Sequence, residues 1–96
     1  MPCQVRGRYL FGVSSDKSQQ AVCSQVARRL RREREKQGLS MNVVAERAGL
    51  SQQMVSYVER EMRNPTLETL LRIAAAMEID SAEVLRASQK AAARSP

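Results

Sequence analysis

From Val22 onward, apolar residues recur with a helical rhythm. Val22, Val26 and Leu30 repeat every four residues, while Arg28, Arg29, Arg31 and Arg32 fall mostly on other faces, the pattern of an amphipathic helix. Gly38 closes this first helix. Ser40 is placed to cap a second helix, which Gly49 ends where a left-handed backbone is wanted. Ser51 caps a third, with Val55 and Val58 facing inward. Glu61 to Pro65 form a polar loop, and Thr66 then caps a fourth helix expected to bury Leu67, Leu70, Leu71, Ile73, Ala74 and Met77. After a turn at Ile79-Asp80, Asp80 and Glu83 have capping-box spacing and open a fifth helix through Val84 and Leu85.

The two ends read differently. Residues 1–21 keep no sustained period, and Gly7, Gly12 and the Ser14-Ser15-Asp16-Lys17-Ser18 cluster predict a flexible arm. Residues 88–96 are small and polar, which predicts a frayed tail. The domain itself is therefore expected over 22–87. With no strand pattern and no repeat, the fold class is an all-α bundle of five helices.

Composition narrows the function. A 96-residue chain has room for one domain, and with 43% apolar but only 3% aromatic residues its core must be aliphatic. Sixteen Lys and Arg against ten Asp and Glu give a net charge of +6, which suits a polyanionic partner, although on charge alone a merely basic soluble helical protein fits as well. There is no histidine, and Cys3 and Cys23 are too few and too far apart for a metal site or a disulfide framework. Without a Gly-rich phosphate loop or a pair of acids in a plausible cleft, the sequence argues against an enzyme, and no metal or cofactor is expected. Tyr9-Leu10-Phe11-Gly12-Val13 is too short for a signal peptide, and no run approaches the ~20 apolar residues of a membrane span. A cytoplasmic protein with no membrane partner is the expectation.

Residues 40–60, SMNVVAERAGLSQQMVSYVER, carry the function. Two short helices joined by a tight turn allow one helix to lie in the major groove while the other braces it. Ala45 must be small because the third helix crosses the second there. Gly49 serves the turn, since a residue with a Cβ is penalised by ~1 to 2 kcal/mol in that conformation. At ~100° per residue, Gln53, Ser56, Tyr57 and Arg60 share the outward face of the third helix, and Gln52 is exposed at its start. A glutamine amide both donates and accepts, so it matches the edge of adenine in a bidentate pair. Met54 either meets a thymine methyl or shields the helix flank. Donors for DNA phosphates lie around that helix at Ser40, Asn42, Arg60, Arg63, Asn64 and Thr66, together with backbone amides at helix starts.

The stretch from Val26 to Leu85, through LRREREKQGLS, AERAGLSQQMVSYVER, NPTLETLLRIAAAM and IDSAEVL, resembles the helix-turn-helix family of phage repressor and Cro proteins and their bacterial relatives, the XRE type. The resemblance implies a five-helix, lambda-repressor-like domain. It implies that Gln52, Gln53 and Tyr57 read base edges, with Met54 or Ser56 adding contacts. It also implies a structural salt bridge between Arg34 and Glu59. Family members often begin the second helix with a glutamine that braces the recognition helix and holds a phosphate; here Met41 can do neither, and Asn42 is the nearest substitute. Relatives often dimerise near the fifth helix, which points to Ile79, Ala82, Val84 and Leu85 unless these are core. The function so implied is a sequence-specific transcriptional regulator, a repressor, binding double-stranded DNA as a homodimer on a palindromic operator. The alternative is an antitoxin or coactivator-type adaptor whose main partner is another protein.

Overall fold

The computed structural model describes residues 16–94. Among these there are five helices and no strand: α1 (Asp16–Lys36), α2 (Met41–Ala48), α3 (Gln52–Glu59), α4 (Leu67–Ala76) and α5 (Ser81–Arg94). The arm residues Cys3, Arg6, Arg8 and Tyr9-Leu10-Phe11 lie outside the described residues.

The caps explain where the short helices begin. The Ser40, Ser51 and Thr66 side chains each accept from the backbone N–H three residues on, at Val43, Met54 and Thr69, all at 3.1 Å. Asp80 opens α5 by accepting from the Ala82 N–H at 3.0 Å. The other half of the expected capping box is replaced, because the Glu83 carboxylate turns to Arg29 on α1 at 2.8 Å.

Helix ends follow two rules. Gly38 and Gly49 take the left-handed backbone at φ 71° and 72°. Glu61 and Glu78 take it too, at φ 60° and 57°, although each carries a Cβ. For Glu61 the side chain gives a reason: its carboxylate accepts from the Ser24 hydroxyl at 2.8 Å and faces Arg28 at 3.7 Å, tying the end of α3 to α1.

Val26, Leu30, Val44, Ala45, Ala48, Val55, Val58, Leu70, Ile73, Met77 and Val84 form one aliphatic core. α2 packs against α3 and α4, whereas α1 packs mainly along α5. This long α1–α5 pairing corrects two boundaries. α1 begins at Asp16 rather than near Val22, because nothing between Asp16 and Gln37 breaks a helix and serines are tolerated near a helix start. α5 runs on to Arg94 instead of fraying after Ala87, since its Ala-rich end has high helix propensity and Ser88 is buried against its neighbours.

The expected burial of α4 is corrected as well. Leu70, Ile73, Ala74 and Met77 are buried, but Leu67 and Leu71 are 66% and 47% exposed. Four residues apart, they share a flank of α4 turned away from the core, and no described element covers it. Val84, offered as an interface residue, is fully buried in the core and has no surface to give a partner. Ile79 and Leu85 are half-buried and pack on that core, and only Ala82 of the four is exposed.

Candidate nucleic-acid interface

The interface is built from the turn outward. Gly49 N–H bonds back to Glu46 O and Leu50 N–H to Ala45 O, which closes α2 tightly and redirects the chain into α3. Arg72 of α4 locks this turn: its Nη1 donates to the Ala48 carbonyl at 3.2 Å, while Glu68 holds its other edge at 3.0 and 3.2 Å. A Cβ at Gly49 would sit 3.1 Å from that Nη1, so both the φ and the crowding favour glycine. The i,i+4 spacing of Glu68 and Arg72 is a signal in the sequence for their pairing, though not one that sequence reasoning drew on. The bond from Arg72 to the end of α2 has no sequence signal.

A second clamp fixes α3 from behind. Arg34 Nε and Nη2 donate to the two Glu59 oxygens at 2.8 and 3.0 Å, and its Nη1 donates to the Leu39 carbonyl at 2.8 Å. One guanidinium thereby joins the end of α1, the following turn and the last residue of α3 in a nearly buried, bidentate arrangement. The hydrogen bonds that Arg34 donates to Glu59, outweighing the cost of burial, hold Arg34 above the ordinary arginine range, so it remains charged.

The outer face of α3 opens with Gln52 and Gln53, both exposed. Gln53 Nε2 donates to the Tyr57 hydroxyl at 2.6 Å, and the Arg63 guanidinium stacks over the Tyr57 ring, 5.3 Å from its centre. Ser56 and Tyr57 are half-buried, and Arg60 is exposed beyond them. Met54 is half-buried and packs against the core, so it shields the flank of α3. Sequence reasoning identified these residues singly. It did not find that Gln53, Tyr57 and Arg63 form one connected string, because Arg63 lies beyond the end of the helix.

The candidate phosphate donors fall into two kinds. Ser40, Asn42, Arg60, Arg63, Asn64 and Thr66 are all exposed. Ser40 uses its oxygen as a cap acceptor and keeps its proton to donate, whereas the Thr66 hydroxyl donates to Thr69 at 3.0 Å. Ser51 stands at the start of α3 as Ser40 does at α2, a matching donor outside the original set. Ser40, Asn42, Glu46 and Gln52 line one open hollow between the starts of α2 and α3. Glu46 is its acidic wall, a residue the outward-face reading of α3 had no means to find. Met41 is half-buried against the core, consistent with its apolar character.

Comparison with known proteins agrees with this architecture. The family model described as Helix-turn-helix matches residues 30–84. The chain is 44% identical over 57 residues to the protein named Uncharacterized HTH-type transcriptional regulator y4dJ of Sinorhizobium fredii, covering 59% of this chain and 70% of that one. It is 45% identical over 56 residues to an Uncharacterized HTH-type transcriptional regulator, Rv0474, of Mycobacterium tuberculosis, covering 58% of this chain but only 39% of the mycobacterial protein. Among solved structures, the restriction-modification controller protein C.AhdI from Aeromonas hydrophila superposes with a TM-score of 0.61 at 35% identity, over 65% of this chain and 94% of that one. A single-residue mutant of the restriction-modification controller protein C.Esp1396I gives 0.70 at 21% identity, over 78% and 97%, a likeness of fold. The two clamped helices and the turn between them are those of a helix-turn-helix DNA-binding module. The chain belongs to the helix-turn-helix family of DNA-binding transcriptional regulators.

Proposed function

We propose that this protein binds a specific operator by inserting the first turn of α3 into the major groove, with Gln52 and Gln53 reading base edges. The observation that carries the reading is the Gln53–Tyr57 hydrogen bond. It takes one of the two amide protons and leaves the second proton and the carbonyl oxygen free, the donor and acceptor an adenine edge requires. Ser56 and Tyr57 lie deeper on the same face, and Met54 contributes by holding the flank. Ser40, Asn42, Arg60, Arg63 and Asn64 are the phosphate donors of this reading, and Thr66 joins them only when its hydroxyl turns from Thr69.

One recognition helix spans only a few base pairs, so a specific site calls for two copies about one helical turn apart. The large exposed hydrophobics support a pairing surface different from the α5 residues first considered. Met62, Leu67 and Leu71 are 61%, 66% and 47% exposed, immediately after α3 and along α4. A second copy seated there would bring two α3 helices into one assembly. Repression, by covering a promoter against polymerase, and action in the cytoplasm complete this reading.

Selection of bound sequences from a random DNA pool tests the reading. It should yield a two-fold-symmetric site whose half-sites contain adenines. A pool that stays random after repeated rounds would overturn base reading, and an asymmetric site would overturn the dimer.

A further inference from the structure

Glu61 is out of place in two ways. It holds a left-handed backbone at φ 60°, a conformation that disfavours any residue with a Cβ and that glycine usually fills at a helix end. It is also an exposed acid, set between Arg60 and the Arg63-Asn64 pair. A carboxylate there repels the polyanion that those neighbours are proposed to meet. Glycine would avoid both penalties.

The side chain turns back toward α1 instead. Its Oε1 accepts from the Ser24 hydroxyl at 2.8 Å, and its Oε2 stands 3.7 Å from Arg28 Nε. The ion pair is exposed and long, so the Ser24 bond is the main anchor. Glu78, the other left-handed glutamate, has no such tie among the described residues. Beyond Glu61 the backbone closes on one residue of α3. The Met62 and Arg63 N–H groups both donate to the Tyr57 carbonyl, at 2.9 and 3.3 Å. Arg63 then lies over the Tyr57 ring, whose hydroxyl accepts from Gln53. Contacts therefore run unbroken from Ser24 of α1 through Glu61 and its loop to the outer face of α3.

We propose that Glu61 is a positioning residue for DNA binding. Its carboxylate, anchored by Ser24, sets the loop that carries Arg63 and Asn64 and seats Arg63 on Tyr57. The role rests on the reading above in which Arg63 meets a phosphate, and not on base reading. It accounts for both oddities together, because a side chain that holds a loop in place must be present where glycine would leave the loop free. It also runs against simple electrostatics. Removing an acid from a basic DNA-binding face strengthens binding to any duplex, whereas removing a positioning group weakens it.

The full chain and its variants are titrated with the selected operator and a scrambled duplex, after thermal unfolding has confirmed that each is folded at the assay temperature. Glu61→Gly and Ser24→Ala should each weaken binding to both duplexes roughly three- to tenfold, the span of one net hydrogen bond. The double variant should be no weaker than Glu61→Gly alone, since the two groups act through one bond. Glu61→Gln keeps an acceptor for Ser24 and should recover most of the loss. Glu78→Gly makes the same change of charge and backbone after α4, and should bind at least as tightly as the unaltered protein. In amide NMR of the free protein, Met62 and Arg63 should lose order in Glu61→Gly and in Ser24→Ala. Equal or tighter binding by Glu61→Gly, with Arg63→Ala still weakened, would overturn the positioning role and leave the phosphate reading standing. Unaltered binding by Ser24→Ala would overturn the anchor on which that role depends. Arg63→Ala without loss on either duplex would remove the phosphate reading, and this role with it.

Discussion

The Gln53 amide and the Tyr57 hydroxyl are 2.6 Å apart, one helical turn from each other on the exposed side of α3. On the base-reading proposal this bond orients the amide in advance, so that less rotamer freedom is lost when it meets a base. Tyr57→Phe removes the bond but keeps the ring under Arg63. It should weaken operator binding by about 0.5 to 1.5 kcal/mol, the net value of one such bond, with random-sequence binding unchanged. Fluorescence anisotropy with both duplexes checks this, and an equal loss on both would show that the bond does not orient a base-reading group.

Arg34 and Glu59 govern stability before specificity. Arg34→Ala leaves the Glu59 carboxylate buried and unpaired, so a loss of roughly 3 to 5 kcal/mol in denaturant unfolding is expected. Arg34→Lys should recover only part of it, since an ammonium cannot make the fork to both oxygens and still reach the Leu39 carbonyl. Below the ordinary arginine pKa the guanidinium is charged in both folded and unfolded chains. The elevated Arg34 pKa therefore contributes its full stabilisation at neutral pH and is lost only as strongly alkaline pH rises through the folded value.

Glu78 is exposed and holds a left-handed backbone at φ 57°. Glu78→Gly should relieve that cost and raise stability, by less than about 1 kcal/mol once the added freedom of the unfolded chain is counted. Thermal unfolding measures it, and a lower melting temperature would mean that Glu78 makes a compensating interaction.

Arg63 stacks on Tyr57 and stays exposed, which leaves it open to the phosphate role proposed for it. Arg63→Ala should weaken binding to all sequences and flatten the slope of log affinity against log salt by about one unit. A slope identical to that of the unaltered protein would remove Arg63 from the backbone contacts.

How much of this was legible in the chain follows from how local each cause is. Ser40, Ser51, Thr66, Gly38 and Gly49 act within a few residues of themselves, and so the starts of α2, α3 and α4 and the ends of α1 and α2 could be read directly. The limits of α1 and α5 depend on each other, because each is stabilised by the face of its partner along their length. Leu67 and Leu71 fit an apolar helical pattern as well as Leu70 does, and only the placement of α4 shows that their flank is bare. In the candidate site, the outward face of α3 was visible from periodicity. The Arg72 lock on Ala48 and the stacking of Arg63 on Tyr57 are tertiary and left no periodic trace.

The most direct test of base reading is the specificity ratio of Gln53→Ala, measured by titrating the selected operator and a scrambled duplex of equal length at the same salt. Base reading predicts that operator affinity falls by about 1 to 3 kcal/mol while the scrambled duplex binds as before. A parallel fall on both duplexes, or no change on either, would contradict it.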